Sequence, residues 1–554
     1  MARLDRAPRL REVAQLGSVL GREFAYDMIS ALAGIEEEML QSDLGQLVVD
    51  ELLYQRGRPP RSRYLFKHAL IQDAAYQSLL KRTRQQYHQQ VAKLLEDQFP
   101  EVASTQPELV AHHYTEANCP AHAIAFWHKA GVAAVRQFAN VEAIDQFHRG
   151  LALIEALSDM REQAERELDL QMALGPALFA TKSFSHPDIG RAYGRAWELC
   201  QQLADHSREF TALRGLMLHH ANLLEMEKAQ HFAEEALRVA KRLDEAARLV
   251  GAHMALGDTL YNQGKLEPAL AHFGRGLELF DPNIQFLDWP GFHPAAQCHV
   301  FPMLITWMLG YPDRSLDELR AAVGSAETLG HPLTLAWVLC WSAFIHAFRH
   351  EPSAAADHAE RALRICEEYR IAQYHAHALC AHGWALNASG ESEKGLAQIG
   401  QGLHSYGLGV NQHVLLALQA DAQLTIGEPE AALVSVAAGL KAVEKTGGAP
   451  LEAELYRLKG EALLAGAGTL SGAEAAMQQG IDVARRQNTK SWELRGAMSL
   501  ARLRRQQGQP QEAAALLAPI LGWFEEGFDT ADLHAARTLL DDLENPAALE
   551  AARG

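Results

Sequence analysis

The sequence predicts an all-α-dominated protein in which a small winged-helix domain precedes an α-solenoid. Three observations carry that expectation. Leucine and alanine dominate while only 21 of 554 residues are proline, a composition that favours helices. A turn position recurs along the second half about every 40 residues, as in stacked helical hairpins. The first hundred residues lack that period and instead show three short helical stretches followed by a pair of strands.

Taking the elements in order, "RLREVAQLGSVL" and "FAYDMISALAG" read as helices and "IEEEMLQSDLGQLVVDE" as a third. "LLYQRGRPPRSRYLFKH" then reads as two strands around a proline-rich turn, which completes a winged-helix arrangement over residues 1–98. From His68 the spacing becomes helical without an intervening glycine or proline. Leu70, Ile71, Ala74, Ala75 and Leu79 fall within half a helix circumference, so this helix is expected to pack its apolar face on the small domain.

Downstream, "AHMALGDTLYNQGKLEPALAHFGRGLELF" sets Gly257 on one helix, Gly264 at a turn, and Ala269, Phe273 and Gly276 on the next. Small residues let two helices approach and large ones fill the gap beside them, which is the tetratricopeptide pattern. The turn recurs at Gly310, His350, Gly390, Gly427 and Gly508, and Gly460 in "RLKGEALL" matches Gly257 as a close-contact position. Weaker copies lie upstream at Ala123, Trp127 and Ala130, at Ala143, Phe147 and Gly150, and at Ala229, Ala233 and Ala236. Residues 99–206 are expected to form degenerate connecting hairpins, 207–545 the repeat superhelix and 546–554 a tail.

Charge and cysteine usage narrow the function classes. The formal net charge is −18, and residues 1–100 are nearly balanced, so the acidity lies in the remainder and opposes non-specific nucleic-acid binding there. The 6 cysteines are far apart with no C-x-x-C pair, which suggests neither a zinc cage nor a disulfide framework. Reduced thiols, a charged start and the lack of any ~20-residue apolar run lead to the expectation of a cytoplasmic protein with no membrane span.

"VAQLGSVLGREF", "LLYQRGRPPRSRYLFKHALIQDAAYQSLLKRTRQQYHQQVAKLLE" and "KSWELRGAMSLARLRRQQGQPQEAAALLAPILGWFEEGFDTADLHAARTLLDDL" resemble the C-terminal half of bacterial multidomain adenylate/guanylate cyclase-like proteins. The resemblance implies a winged helix and a long tetratricopeptide region that follow a signal-transducing, AAA-type NTPase module and, in some members, a cyclase domain. It further implies a regulatory, partner-binding role in an ATP-driven switch. No G-x-x-x-x-G-K-[ST] phosphate loop occurs, since the Gly264-Lys265 pair is followed by Leu266, so no ATP hydrolysis by the chain alone is expected. No cofactor is expected in this chain; ATP or ADP would enter only through an NTPase module upstream. These features lead to the expectation of a fragment, a late-start product or a degenerate member of that family.

His68 has two readings. The resemblance implies a histidine that reaches nucleotide phosphates, although the family's Met-His-Asp triplet is here Lys67-His68-Ala69; the other reading is a cap or hinge at the junction. His375, His377, Cys380 and His382 cannot converge on a metal from one helix at 100° per residue. Arg56, Arg58, Arg61, Arg63 and Lys67 could meet DNA phosphates as a wing does, which makes a DNA-binding regulator with a repeat sensor the alternative function. The third helix opposes it, because Glu36, Glu37, Glu38, Asp43, Asp50 and Glu51 would repel the backbone.

The favoured expectation is a non-catalytic interaction region that holds a protein or peptide in the superhelix groove, with its own or a separate NTPase or cyclase module as a further partner. Trp307, Trp341, His346, Tyr374 and Trp384 fall in first helices of hairpins, which line the concave side, and are the candidate contacts.

Overall fold

The computed structural model describes residues 7–137, 139–182, 185–281, 293–407 and 409–544; the expected tail lies outside them. The chain divides into two compact units, Met1–Thr181 and Lys182–Gly554. The expected divisions after residues 98 and 206 fall within these units.

In the first unit the helices Pro8–Leu20, Tyr26–Ala33 and Glu37–Val49 precede the strands Leu53–Arg56 and Arg63–Phe66. A third strand, Glu23–Ala25, pairs antiparallel with Arg63–Phe66, which therefore lies at the centre of a three-stranded sheet. Three residues are too short for alternation to show, so the sequence reading lacked this strand. Val13, Leu16, Phe24, Ile29, Leu44, Tyr64 and Phe66 close the core between helices and sheet.

The helix after His68 spans Ala69–Gln77. Its expected apolar face is corrected in part. Ala75 and Leu79 are buried and Ile71 partly so, one turn apart, whereas Leu70 is 79% exposed and Ala74 also faces outward. A stripe of residues four apart suffices where one face of a short helix touches its neighbours. Beyond it, helices from Lys81–Gln98 to Pro120–Arg136 build a second core around Val91, Val110, Tyr114, Phe126 and Trp127.

The second unit is a run of helical hairpins of tetratricopeptide type. The turn residues Gly264, Gly310, His350, Gly390, Gly427 and Gly508 all have positive φ, from +57° at His350 to +98° at Gly310. That conformation is nearly free for glycine and strained for most other residues, which is why glycine marks the repeat. Proline follows at the first position of many second helices, as in Pro312–Leu329, Pro352–Tyr369, Pro429–Thr446 and Pro510–Leu521, where a missing N–H costs nothing. Within hairpins, Gly257 leaves room for Phe273, whose ring lies 2.9 Å from where a Cβ would stand, and Gly460 does the same for Met477 at 2.5 Å. Ala269 and Phe273 are fully buried.

The superhelix of this unit returns on itself. Ser491 Oγ donates to the carbonyl oxygen of Trp307 at 2.6 Å, Asn488 Nδ2 donates to Glu267 at 3.1 Å, and Arg495 donates to the carbonyl oxygen of Phe348. Repeats far apart in sequence thereby meet turn to turn. Helix Pro332–Phe348 is buried around its whole circumference from Ala336 to Phe348, packed on the helices of its own and the adjoining hairpins with Phe348 reaching the far side, which accounts for its uninterrupted apolar run "AWVLCWSAFIHAF".

Candidate functional site

The aromatic candidates are all in first helices of hairpins and all buried. Trp307 is 3% exposed and meets Trp492 edge to face at 4.7 Å and Phe348 at 5.4 Å. Trp341 packs against Phe344 at 5.3 Å, and its indole N–H has no hydrogen-bond partner. His346 Nδ1 lies 2.6 Å from Glu351, and Tyr374 lies against His377 at 5.3 Å. Trp384 donates its indole N–H to Asp421 Oδ2 at 2.9 Å. Closure of the superhelix sets Trp307 against Trp492, while the other four side chains meet residues of their own and adjoining hairpins.

A polar cluster missed in the sequence reading lies beside Trp384. Ala417 and Asp421 project from helix Gln412–Thr425, Glu454 and Leu458 from Glu452–Ala465, and Trp492 and Arg495 from Lys490–Gln506. Each pair is spaced three or four apart, so three neighbouring helices turn one face toward a common centre. With Phe348 and His350 they line a cavity open to the centre of a water molecule over ≈ 20 Å³, room for one or two waters. One turn further along two of these helices, Ser499 Oγ donates to Glu461 at 2.6 Å and extends the polar face. The available signal was charge on a helical face otherwise reserved for apolar side chains, as in "LEAELYRLKGEALL" and "SWELRGAMSLARL".

Arg495 is the hub of the cluster. Its Nε donates to Asp532 at 2.8 Å and an NH group stands 3.6 Å from Glu454. Glu454 is held bidentate by Arg457, with both contacts at 2.8 Å. Burial opposes the Arg457 charge, but Glu454 outweighs it and raises that guanidinium above its ordinary value. The positive charge of Arg495, with burial, lowers the pKa of His350, which favours its neutral form. Asp421 differs from these groups. The Trp384 indole is its side-chain hydrogen-bond partner, and it has no salt-bridge partner among the described residues.

In the first unit, His68 is exposed and its imidazole makes no cap hydrogen bond; only its carbonyl oxygen serves the next turn, accepting from Ile71 N at 3.0 Å. Deeper in that unit Tyr76, His88 and His113 form a chain, with Tyr76 OH 2.9 Å from His88 Nε2 and the two Nδ1 atoms 2.8 Å apart. Burial, then neighbouring positive groups, push His88 down to about 4 and His113 to about 3. Among the described residues no three His, Cys, Asp or Glu side chains are placed to hold a metal ion, and no helix is long and apolar enough to cross a membrane.

No family model matches the chain. It is 22% identical over 512 residues to an uncharacterized protein of Rhizobium meliloti (strain 1021), a match that covers 91% of this chain and 49% of that protein. The chain thus spans about half the length of that relative. Among solved structures it is similar to a Rap protein complexed with competence and sporulation factor, at 12% identity and TM-score 0.42, over 72% of this chain and 99% of that one. It is also similar to a signal transduction ATPase with numerous domains carrying a tetratricopeptide repeat sensor, from Pyrococcus horikoshii, at 10% identity and TM-score 0.37, over 92% and 62%. A third similar structure is the apo quorum sensor NprR from B. thuringiensis, at 14% identity and TM-score 0.39, over 66% and 99%. None of these establishes a family.

Proposed function

We propose that the chain is a non-catalytic regulatory and interaction region whose repeat superhelix holds a peptide segment of a partner on its inner face. The observation that carries this reading is the polar cluster around Asp421, Glu454 and Arg495, set among first helices of hairpins where apolar packing alone would suffice. Glu454 and Arg495 are matched within the chain, whereas Asp421 meets only the Trp384 indole and the Trp492 N–H has no hydrogen-bond partner among the described residues, so a ligand with complementary groups would complete the layer.

The finer reading is that this region serves a signalling protein of the adenylate/guanylate cyclase-like kind. Its support is the sequence resemblance, together with three helices and a small antiparallel sheet at the N-terminal end that suit a winged helix. On that reading an NTPase module is the natural neighbour of the first unit, and the exposed His68 is free to meet its nucleotide. The absence of Lys and Arg from helix Glu37–Val49 continues to disfavour DNA as the ligand.

The test is binding of a library of N-acetylated heptapeptides to the purified chain, alongside assays for ATP hydrolysis and cyclic nucleotide formation. Saturable peptide binding without turnover is the expected result. Turnover that follows the polypeptide through repurification, or a library from which nothing binds, overturns the reading.

A further inference from the structure

We infer that the cavity beside Asp421 is a receptor for a primary ammonium group presented by a bound peptide, either a lysine side chain or a free N-terminus. This rests on the inner-face reading above and specifies its ligand.

Charge is the first argument. Of the ionised groups that line the cavity, Asp421 and Glu454 are negative and Arg495 is positive, and His350 adds no charge while neutral. Glu454 is engaged by Arg457 and Arg495, and Arg495 also by Asp532. The negative charge left over is therefore placed on Asp421, whose carboxylate accepts from a neutral indole, forms no salt bridge among the described residues and meets the Arg457 charge only at longer range. A carboxylate in a partly dry site favours a cation over water, because the surrounding low dielectric strengthens the attraction.

Space is the second. An opening of ≈ 20 Å³ to water-sized centres admits a group about as large as water. An ammonium head fits that description, whereas a planar guanidinium is larger and needs two parallel acceptors. The third argument is the indole of Trp492, which is 2% exposed, lines the cavity and has no hydrogen-bond partner for its Nε1–H among the described residues. A buried donor of this kind calls for an acceptor, and the carbonyl of a peptide entering with its ammonium toward Asp421 supplies one.

The test uses the full chain and a position-scanning library of N-acetylated heptapeptides, with lysine-free peptides bearing a free N-terminus as a second arm. At one position lysine should be preferred to glutamine by about tenfold, and Asp421→Asn, which keeps an acceptor for Trp384, should abolish the preference while leaving the melting transition in place. An Asp421-dependent gain confined to the free-amine arm identifies the N-terminus as the source. Trimethyllysine keeps the charge but enlarges the head, so on the unmodified chain it should lose about the same tenfold, a check that needs no variant. Peptide binding with no preference for an amine in either arm, an unaltered preference in Asp421→Asn, or, where lysine is the preferred residue, equal binding of trimethyllysine overturns the receptor and leaves the inner-face reading standing. Failure of every peptide to bind overturns that reading itself.

Discussion

Glu526 and Asp313 cap each other across the closed superhelix. Glu526 Oε1 accepts the backbone N–H groups of Asp313 at 2.9 Å and Arg314 at 3.1 Å, in the first turn of helix Pro312–Leu329. Asp313 Oδ2 in return accepts the N–H of Gly527 at 3.0 Å. Two donors with no partner of their own are thus satisfied from more than 200 residues away, as a capping box does within four. The same seam carries Gly310 against Trp523 and Arg314 beside Glu526 at 3.2 Å, so it joins the end of the array to its middle.

Removing one side of this pair should loosen the seam. Glu526→Ala is expected to cost ~0.5–2 kcal/mol, the usual range for a lost cap. The Arg314 pairing adds little, since Arg314 is 61% exposed. Asp313→Ala should be similar. In denaturant titrations the double variant should lose less than the sum of the two, with a coupling of roughly 0.5 kcal/mol or more; strict additivity would mean that the seam is not formed in solution.

Gly257→Leu and Gly460→Leu should each overpack a hairpin, because the new side chain must displace the Phe273 ring or Met477. The expected cost is ~1–3 kcal/mol. Gly274, on the second helix of the same hairpin, has nothing within 4 Å of its added Cβ and serves as the control position. Equal melting temperatures for Gly257→Leu and Gly274→Leu would remove the close-approach argument.

How much of this was legible in sequence follows from the range of each interaction. Turn glycines were legible because a positive φ is a local demand. The same turn built on Leu224, at φ +62°, was not, since leucine does not advertise the conformation. Placement of Trp307, Trp341 and Trp384 on first helices was legible from the hairpin period. The burial of Trp307 against Trp492 was not, because it depends on superhelical closure, and no local pattern encodes which distant repeats meet. Arg495 was hidden for the same reason: its partners Phe348, Asp532 and Glu454 come from other hairpins.

The Tyr76, His88 and His113 chain should make stability pH-dependent. Both histidines have folded pKa values below the ordinary 6.5, about 4 for His88 through burial and then His112 and Arg84, and about 3 for His113 through burial and then His88 and His112. The unfolded chain therefore takes up protons at higher pH than the folded one. Stability is full above about pH 6.5 and falls as the pH drops toward 4, by on the order of 3 kcal/mol for His88 alone. His88→Gln should flatten this part of the profile in urea titrations between pH 4 and 7. A slope unchanged from the parent would mean that the ring is not held neutral.

Trp307 separates closure from ordinary packing. Its ring fills the space between Phe348, in the next hairpin, and Trp492, from the far side of the superhelix, with the guanidinium of Arg495 5.4 Å from its centroid. Trp307→Ala should cost ~3–5 kcal/mol, as for other buried aromatics, and also weaken the seam, because Trp492 and Arg495 lose a shared wall. Phe273 is the comparison: it is also fully buried, but it packs chiefly against Gly257 in its own hairpin and Phe301 in the next. Phe273→Leu should then lower stability without changing the coupling between Asp313 and Glu526, whereas Trp307→Leu should reduce that coupling toward zero. Identical coupling energies in the two backgrounds would show that the far-side contact of Trp307 contributes nothing to closure.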